Sequence, residues 1–451
     1  MRKFLLFSTG LLICGSIFAG GLVTNNNQSA LFTRMQNRNA STSIDAVYYN
    51  PAGLTKLGDG IFFSVSNQTI SQTRTVTNNY TFLTDSPKEY IGKVSAPLFP
   101  GIYAVYNTGK FSFSAGFNPV GGGGGAKYDE GLPSFEMGIS ELKPLLSSMG
   151  LITTLYSADI FFEGKSVYFG YQANAAYQIN EIISVSAGVR YVSAKNTYNG
   201  SIANIMINPY HPLANPTSAM VSAPAFFTTI GQSSYAVLTA NKEVDVEETG
   251  SGIAPIFSVN VAPMENLNVA VKYEFATKLE MTTNVINGKD AGGMFVDNNK
   301  YRADMPAMLT FGAEYKPIDK LTLAGSFDIY FDKDLNTAAI NPNTIDKNFL
   351  EYGFGAEYGL TEKLRVSAGW MATATSVNTN YQSDQTYSTN TNSFGAGFGY
   401  RINDKIDINV GGQYTFYSDD TKQLVRLTPI TETHAKKTMI LGIGADFYFG
   451  K

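Results

Sequence analysis

Period-2 alternation, repeated along most of the chain with a polar face that carries few charges, is the feature that most restricts how this sequence can fold. In residues 167–177 one face carries Val167, Phe169, Tyr171, Ala173, Ala175 and Tyr177, and the other Tyr168, Gly170, Gln172, Asn174 and Ala176. Ile183, Val185, Val189 and Tyr191 oppose Ser184, Ser186, Gly188 and Arg190. Met439, Leu441, Ile443, Ala445 and Phe447 oppose Gly442, Gly444 and Asp446. Such alternation marks strands with two unlike faces. A soluble sandwich alternates too, but its wet face is rich in Lys and Glu. Here that face is Gly, Ser, Asn and Thr with isolated charges, as the lumen of a transmembrane barrel would be.

Composition supports the membrane alternative. Charged residues make up 16% of the 451, aromatics 13%, and the mean hydropathy is −0.07. After residue 19 no apolar run reaches the length of a membrane helix. Strands that show lipid one face and a polar lumen the other give this near-neutral average. The connections alternate short and long. Short ones include 107–110, 180–181, 263–266, 317–320, 361–363 and 403–405; long ones surround 73–97, 119–165, 195–251, 277–305, 333–348, 375–391 and 419–436. They join about fourteen antiparallel strands, an even number as in bacterial single-chain barrels. The expected spans are 60–72, 98–106, 111–118, 166–178, 182–194, 252–262, 267–276, 306–316, 321–332, 349–359, 364–374, 392–401, 406–418 and 437–449.

Residues 1–19 read as a signal peptide: Arg2-Lys3, an apolar run from Phe4 to Phe18, and small residues at Ala19-Gly20. Cleavage there removes Cys14, the one cysteine, and takes the net charge from −4 to −6. Ile13 before Cys14 is a poor match to a lipidation signal. A mildly acidic chain argues against nucleic acid as a partner.

Between leader and first strand lies Ser41–Leu54, too polar for a membrane strand. Pro51 removes a ladder donor, Asn50-Pro51 signals a turn, and Gly53 relaxes the backbone after it. Residues preceding a single-chain barrel hang below it or fold into it. Residues 20–54 are expected to form a hatch that plugs the lumen, centred on Asn50, Pro51, Ala52 and Gly53, with the barrel over 55–451.

Asp45-Ala-Val-Tyr-Tyr-Asn-Pro-Ala-Gly-Leu54 resembles the hatch motif of the long-chain fatty-acid transport family, FadL, and its relatives for aromatic hydrocarbons. Asn50-Pro51-Ala52 matches the family's Asn-Pro-Ala core, and the resemblance spans the whole mature chain. It implies a barrel of the same strand number, passive transport of fatty acids or other hydrophobic molecules, and a third strand that kinks inward so that substrate leaves sideways. Gly116, Asn118 and Pro119, ahead of the run Gly121–Gly125, are the residues here that can make such a break; alternatively the strand simply ends there and a loop begins.

Phe135, Ile139, Leu142 and Leu146 fall at helical spacing in 134–149, with Pro144 expected to kink or split the helix. Together with the apolar loop at 195–251 they suggest a surface groove for a hydrophobic ligand, or loops that pack to close the barrel top. Arg190 is the first candidate for a ligand's carboxylate, since its own strand carries no acid. Lys272 is expected to pair with Glu274, and Arg34 and Arg38 to reach the wall. Catalysis finds little support. His211 and His434 sit in or near loops, only His434 has an acid close by (Glu432), and no metal-ligand cluster or cofactor motif is present.

The expected protein is therefore a monomeric, non-enzymatic outer-membrane barrel whose partners are hydrophobic small molecules and membrane lipid. A polar porin would instead need an open lumen, and an adhesive barrel polar loops.

Overall fold

In the computed structural model residues 27–337 and 341–450 are described; the expected signal peptide lies outside them. Fourteen antiparallel strands close into a barrel. They are β1 (Gly60–Asn78), β2 (Lys88–Thr108), β3 (Phe111–Tyr128), β4 (Tyr156–Gln178), β5 (Ile183–Ile207) and β6 (Lys242–Met264). Next come β7 (Leu267–Glu274, resumed at Glu280–Asp290), β8 (Met308–Ile318, preceded by Lys300–Arg302), β9 (Leu321–Tyr330) and β10 (Phe349–Gly359). The last are β11 (Leu364–Ala374), β12 (Thr391–Asn403), β13 (Ile406–Tyr417, resumed at Asp420–Val425) and β14 (Pro429–Gly450). Each pairs with its neighbours in sequence, and β1 closes the ring on β14, with Gly60 opposite Gly450.

The alternation sorts the side chains as expected. Ile61, Phe63 and Val65 are 44%, 42% and 49% exposed on the outside, while Phe62, Ser64 and Ser66 between them are buried. Met439, Leu441 and Ile443 face out from β14, and Asp446 faces in. The outward ring of apolar side chains is the surface a bilayer covers.

At the short-turn end the expected spans end close to the observed strands; at the other end those of β1–β6 and β14 fall short, while those of β9–β13 end within about two residues of the observed strands. β5 runs for 25 residues, whereas a strand needs only about 9–11 to cross a bilayer. The excess goes beyond the length a bilayer requires, and along it the outer face loses the apolar alternation, as at Lys195, Thr197 and Asn199. Thus residues 195–207 and 156–165, expected in loops, are strand. The wall is tall over β1–β6 and β14 and low over β9–β11.

The helical stretch in the loop after β3 is two helices, Pro133–Ser140 and Leu142–Ser148. They separate at Glu141, not at Pro144. Pro144 sits in the first turn of the second helix, where a missing N–H costs nothing.

Candidate functional site

The segment 27–54 is buried almost throughout and its partners are inward-facing residues of the wall. Ser29 accepts from Phe32 N and so caps the short helix Ala30–Arg34. Pro51 opens a 3₁₀ turn, Pro51–Leu57, at its first position, where the missing donor is harmless. Asn50 Nδ2 donates to Asn260 Oδ1 at 2.7 Å and to Ser41 O at 3.0 Å. Ala52 N donates to Ser258 Oγ, and Ala52 O accepts from Ser184 Oγ. Gly53 packs against the Asn50 amide with no room for a Cβ, so its place is set by close approach. Asp45, fully buried, accepts from Arg38, Ser41 and Ser29 and ties the segment to itself. Arg34 reaches the wall at Glu357 and Ser367, as expected; Arg38 does not, being held by Asp45.

The many inward glycines have a purpose the sequence does not reveal. A Cβ on Gly312, Gly395, Gly411 or Gly442 would collide with residues 33–40 of the segment; at Gly411 it would lie 2.6 Å from Arg34 N. The glycines clear a trough in which the segment lies against the wall.

Between β2 and β3 the wall ladder is interrupted. β2 and β3 pair from Thr108–Phe111 up to Ile102–Phe117, and resume only at Val94–Ala126. Residues 95–101 of β2 therefore face β3 without a partner. Pro97 and Pro100 lack the N–H a ladder needs, and so does Pro119 on β3. Asn67 and Thr69 of β1 patch the β2 side: their side chains donate to Pro97 O at 3.0 and 3.2 Å, and Asn67 Oδ1 accepts from Phe99 N. Asn118 and Pro119 lie in the interruption. Gly116 lies in the paired part of the ladder, and a Cβ there would crowd Tyr103 and Val47. Sequence reasoning missed β2's share, though two prolines three residues apart inside a strand are a readable signal.

A cavity of about 670 Å³ adjoins this interruption. Its floor is Asn27 and Phe32, and Tyr381 and Tyr387 of the loop between β11 and β12 lie over it. Leu98, Phe99 and Phe117 line it at the interruption, together with Val167 and Phe169 of β4. Val167 and Phe169 alternate in phase with outward Tyr171, and Leu98 is 77% exposed, so the lining includes side chains of both faces of the wall.

Arg190 is not among the lining residues. It is 2% exposed, forms an ion pair with Glu274 of β7, donates to Gln172 Oε1, and lies 4.7 Å from the ring centre of Tyr48. The expected Lys272–Glu274 ion pair is replaced: Lys272 Nζ donates to Tyr48 O at 2.8 Å instead. The acid for Arg190 comes from another strand, which alternation along its own strand could not show. Ile139, Leu142 and Leu146 are buried against Phe226, Phe227 and Tyr235 of the next long loop, so these loops pack on each other. Phe135 stacks edge-on against Phe162, a cavity residue, one layer behind the lining. His434 is buried between Glu432, Asp420 and the ring of Tyr387. Among the described residues no cluster of His, Cys, Asp and Glu is arranged to hold a metal.

A closed fourteen-stranded barrel with an occupied lumen and an interrupted ladder defines the chain as a membrane-type, single-chain β-barrel. More narrowly, it has the FadL-type fold. A FadL homologue of Pseudomonas aeruginosa superposes with a TM-score of 0.64 over 95% of this chain and 99% of its own, at 13% identity. The toluene transporter TodX of Pseudomonas putida gives 0.56 over 91% and 95%, at 15% identity. The toluene transporter TbuX of Ralstonia pickettii gives 0.52 over 90% and 94%, at 16% identity. No protein-family model matches the sequence, and no curated protein does. At these identities the likeness is one of fold.

Proposed function

We propose that this chain is a passive channel for hydrophobic compounds in the bacterial outer membrane, acting as a monomer. The observation that carries the reading is the cavity that runs from beneath the long loops to the interrupted β2–β3 ladder and is lined there by side chains of both wall faces. An apolar molecule enters among the packed loops, is held above the segment 27–54 acting as a hatch, and leaves sideways between Leu98 and Phe117 into lipid. Transport follows the concentration gradient. Solved structures of the same fold described as toluene transporters support the compound class. The polar porin fits less well, since the lumen is filled by the chain's own N-terminal segment.

The test is uptake by cells lacking their own route for such compounds and expressing this chain. Labelled dodecanoate or toluene should accumulate faster than in the empty-vector control, and Ala96→Trp, which fills the cavity beside the interruption, should abolish the gain. Equal accumulation with and without the chain, or a rate for small sugars as high as for the apolar probes, would overturn the proposal.

A further inference from the structure

Arg74 of β1 and Lys436 of β14 stand directly opposite each other in the ladder and both line the cavity. Like charges at opposed positions repel, and a partly dry cavity enlarges the cost. The other inward arginines are neutralised: Arg34 by Glu357, Arg38 by Asp45, Arg190 by Glu274, Arg365 by Asp407. Among the described residues neither Arg74 nor Lys436 has a carboxylate partner. They are held by neutral groups only. Arg74 donates to Gln385 O at 3.2 Å and Lys436 to Tyr387 O at 2.6 Å. Both cations sit over the Tyr387 ring, 4.6 and 4.3 Å from its centre. Arg74 Nε is buried without a hydrogen-bond partner. The one acid in the cavity lining among the described residues, Glu351, is engaged by Tyr330 Oη and Thr373 Oγ1, each at 2.8 Å.

We propose that Arg74 and Lys436 form a head-group subsite that orients an anionic amphiphile within the cavity. The proposal rests on the transport reading above and narrows it. Around the cations the lining is polar, with Gln72, Tyr417 and Thr438; the wall at the interruption is apolar, with Leu98, Phe99 and Phe117. A head group bridging guanidinium and ammonium turns a repulsive pair into charge-assisted hydrogen bonds, bidentate on the arginine side. The tail then points at the interruption, so the molecule leaves tail first. A fatty carboxylate and a lipid-derived phosphate monoester both supply this chemistry; a neutral hydrocarbon gains nothing from it.

The experiment is calorimetric titration of the full-length protein in non-ionic detergent with dodecanoate, dodecyl phosphate and dodecanol at fixed salt. At least one anion should bind about tenfold or more tighter than dodecanol, and the tighter of the two identifies the source. Arg74→Gln with Lys436→Gln should erase that preference, so that neither anion binds tighter than dodecanol. Arg74→Lys, which keeps the charge, should retain the preference and guards against a folding defect, as does heat-modifiable gel migration. Equal binding of all three probes by the native protein, or a preference that survives the double substitution, overturns the subsite alone. Failure of dodecanol and both anions to bind overturns the transport reading with it.

Discussion

Asn118 Nδ2 donates to Gln28 Oε1 across 2.6 Å, joining the first residue of β3's interruption to the start of the lumenal segment. Gln28 O also accepts from Tyr103 Oη at 2.9 Å, on the adjoining strand β2. The segment therefore buttresses both strands at the edge of the unpaired stretch. Asn118→Ala removes one buried hydrogen bond, worth about 1 kcal/mol. Amide exchange around residues 28–32 should accelerate while the strands keep their protection. Unchanged exchange there would mean the contact does not hold the segment.

The glycine trough predicts how to displace the segment without unfolding the wall. Gly312→Val with Gly411→Val places side chains where Ala40 N and Arg34 N now lie. The barrel should still assemble, because both glycines are strand residues that valine suits. The segment should become sensitive to protease, and bilayer conductance should rise from near closed to open. A variant that stays closed and protected would show that the trough is not what seats the segment.

Arg190 and Glu274 are both buried, and removing one leaves the other uncompensated. Arg190→Gln should destabilise the barrel by about 3–5 kcal/mol, read as a lowered urea midpoint in detergent micelles. Affinity for dodecanoate should stay the same, because Arg190 does not line the cavity. A lost affinity with an unchanged midpoint would restore Arg190 as the ligand's anchor.

Asp384, in the loop over the cavity, is pushed up to about 6 by burial and by the nearby Glu432 carboxylate, although Ser134 N donates to it at 2.7 Å. A carboxyl whose folded value lies above its unfolded one binds more protons when folded, so its contribution to stability grows as pH falls. The gain should accrue from about 6 down towards the usual carboxylate range and be absent above neutrality. Thermal unfolding at pH 5 and pH 7.5 should show the native protein gaining stability in acid relative to Asp384→Asn. Identical pH dependence in both would assign the effect to other groups.

How far the sequence could be read depended on how local the physics is. Strand ends at the short turns were legible because turn residues such as Asn107-Thr108-Gly109-Lys110 and Asn403-Asp404-Lys405 fix them within a few residues. The upper ends of the tall strands β1–β6 and β14 were not, since beyond the length a bilayer requires nothing forces an apolar outer face. Asn118 and Pro119 announced a disturbance in β3. Its partner disturbance at Pro97 and Pro100 was equally visible, but placing 73–97 in a loop left only Pro100 inside the expected strand 98–106. Arg190 looked unpaired because its acid lies 84 residues away on another strand. Arg74 and Lys436 carried no local mark at all.

The sequence by itself determined a barrel of about this many strands, which residues face outward, and where an N-terminal segment departs from the strand pattern. Those follow from alternation and turn chemistry, which act over a few neighbouring residues. Tertiary structure alone decided which inward charges cancel and which remain. It also decided that the inward glycines make room for residues 33–40, and that the ladder is interrupted between β2 and β3. Each depends on which strands closure of the ring brings side by side, and closure sets Arg74 against Lys436 where no spacing along the chain relates them.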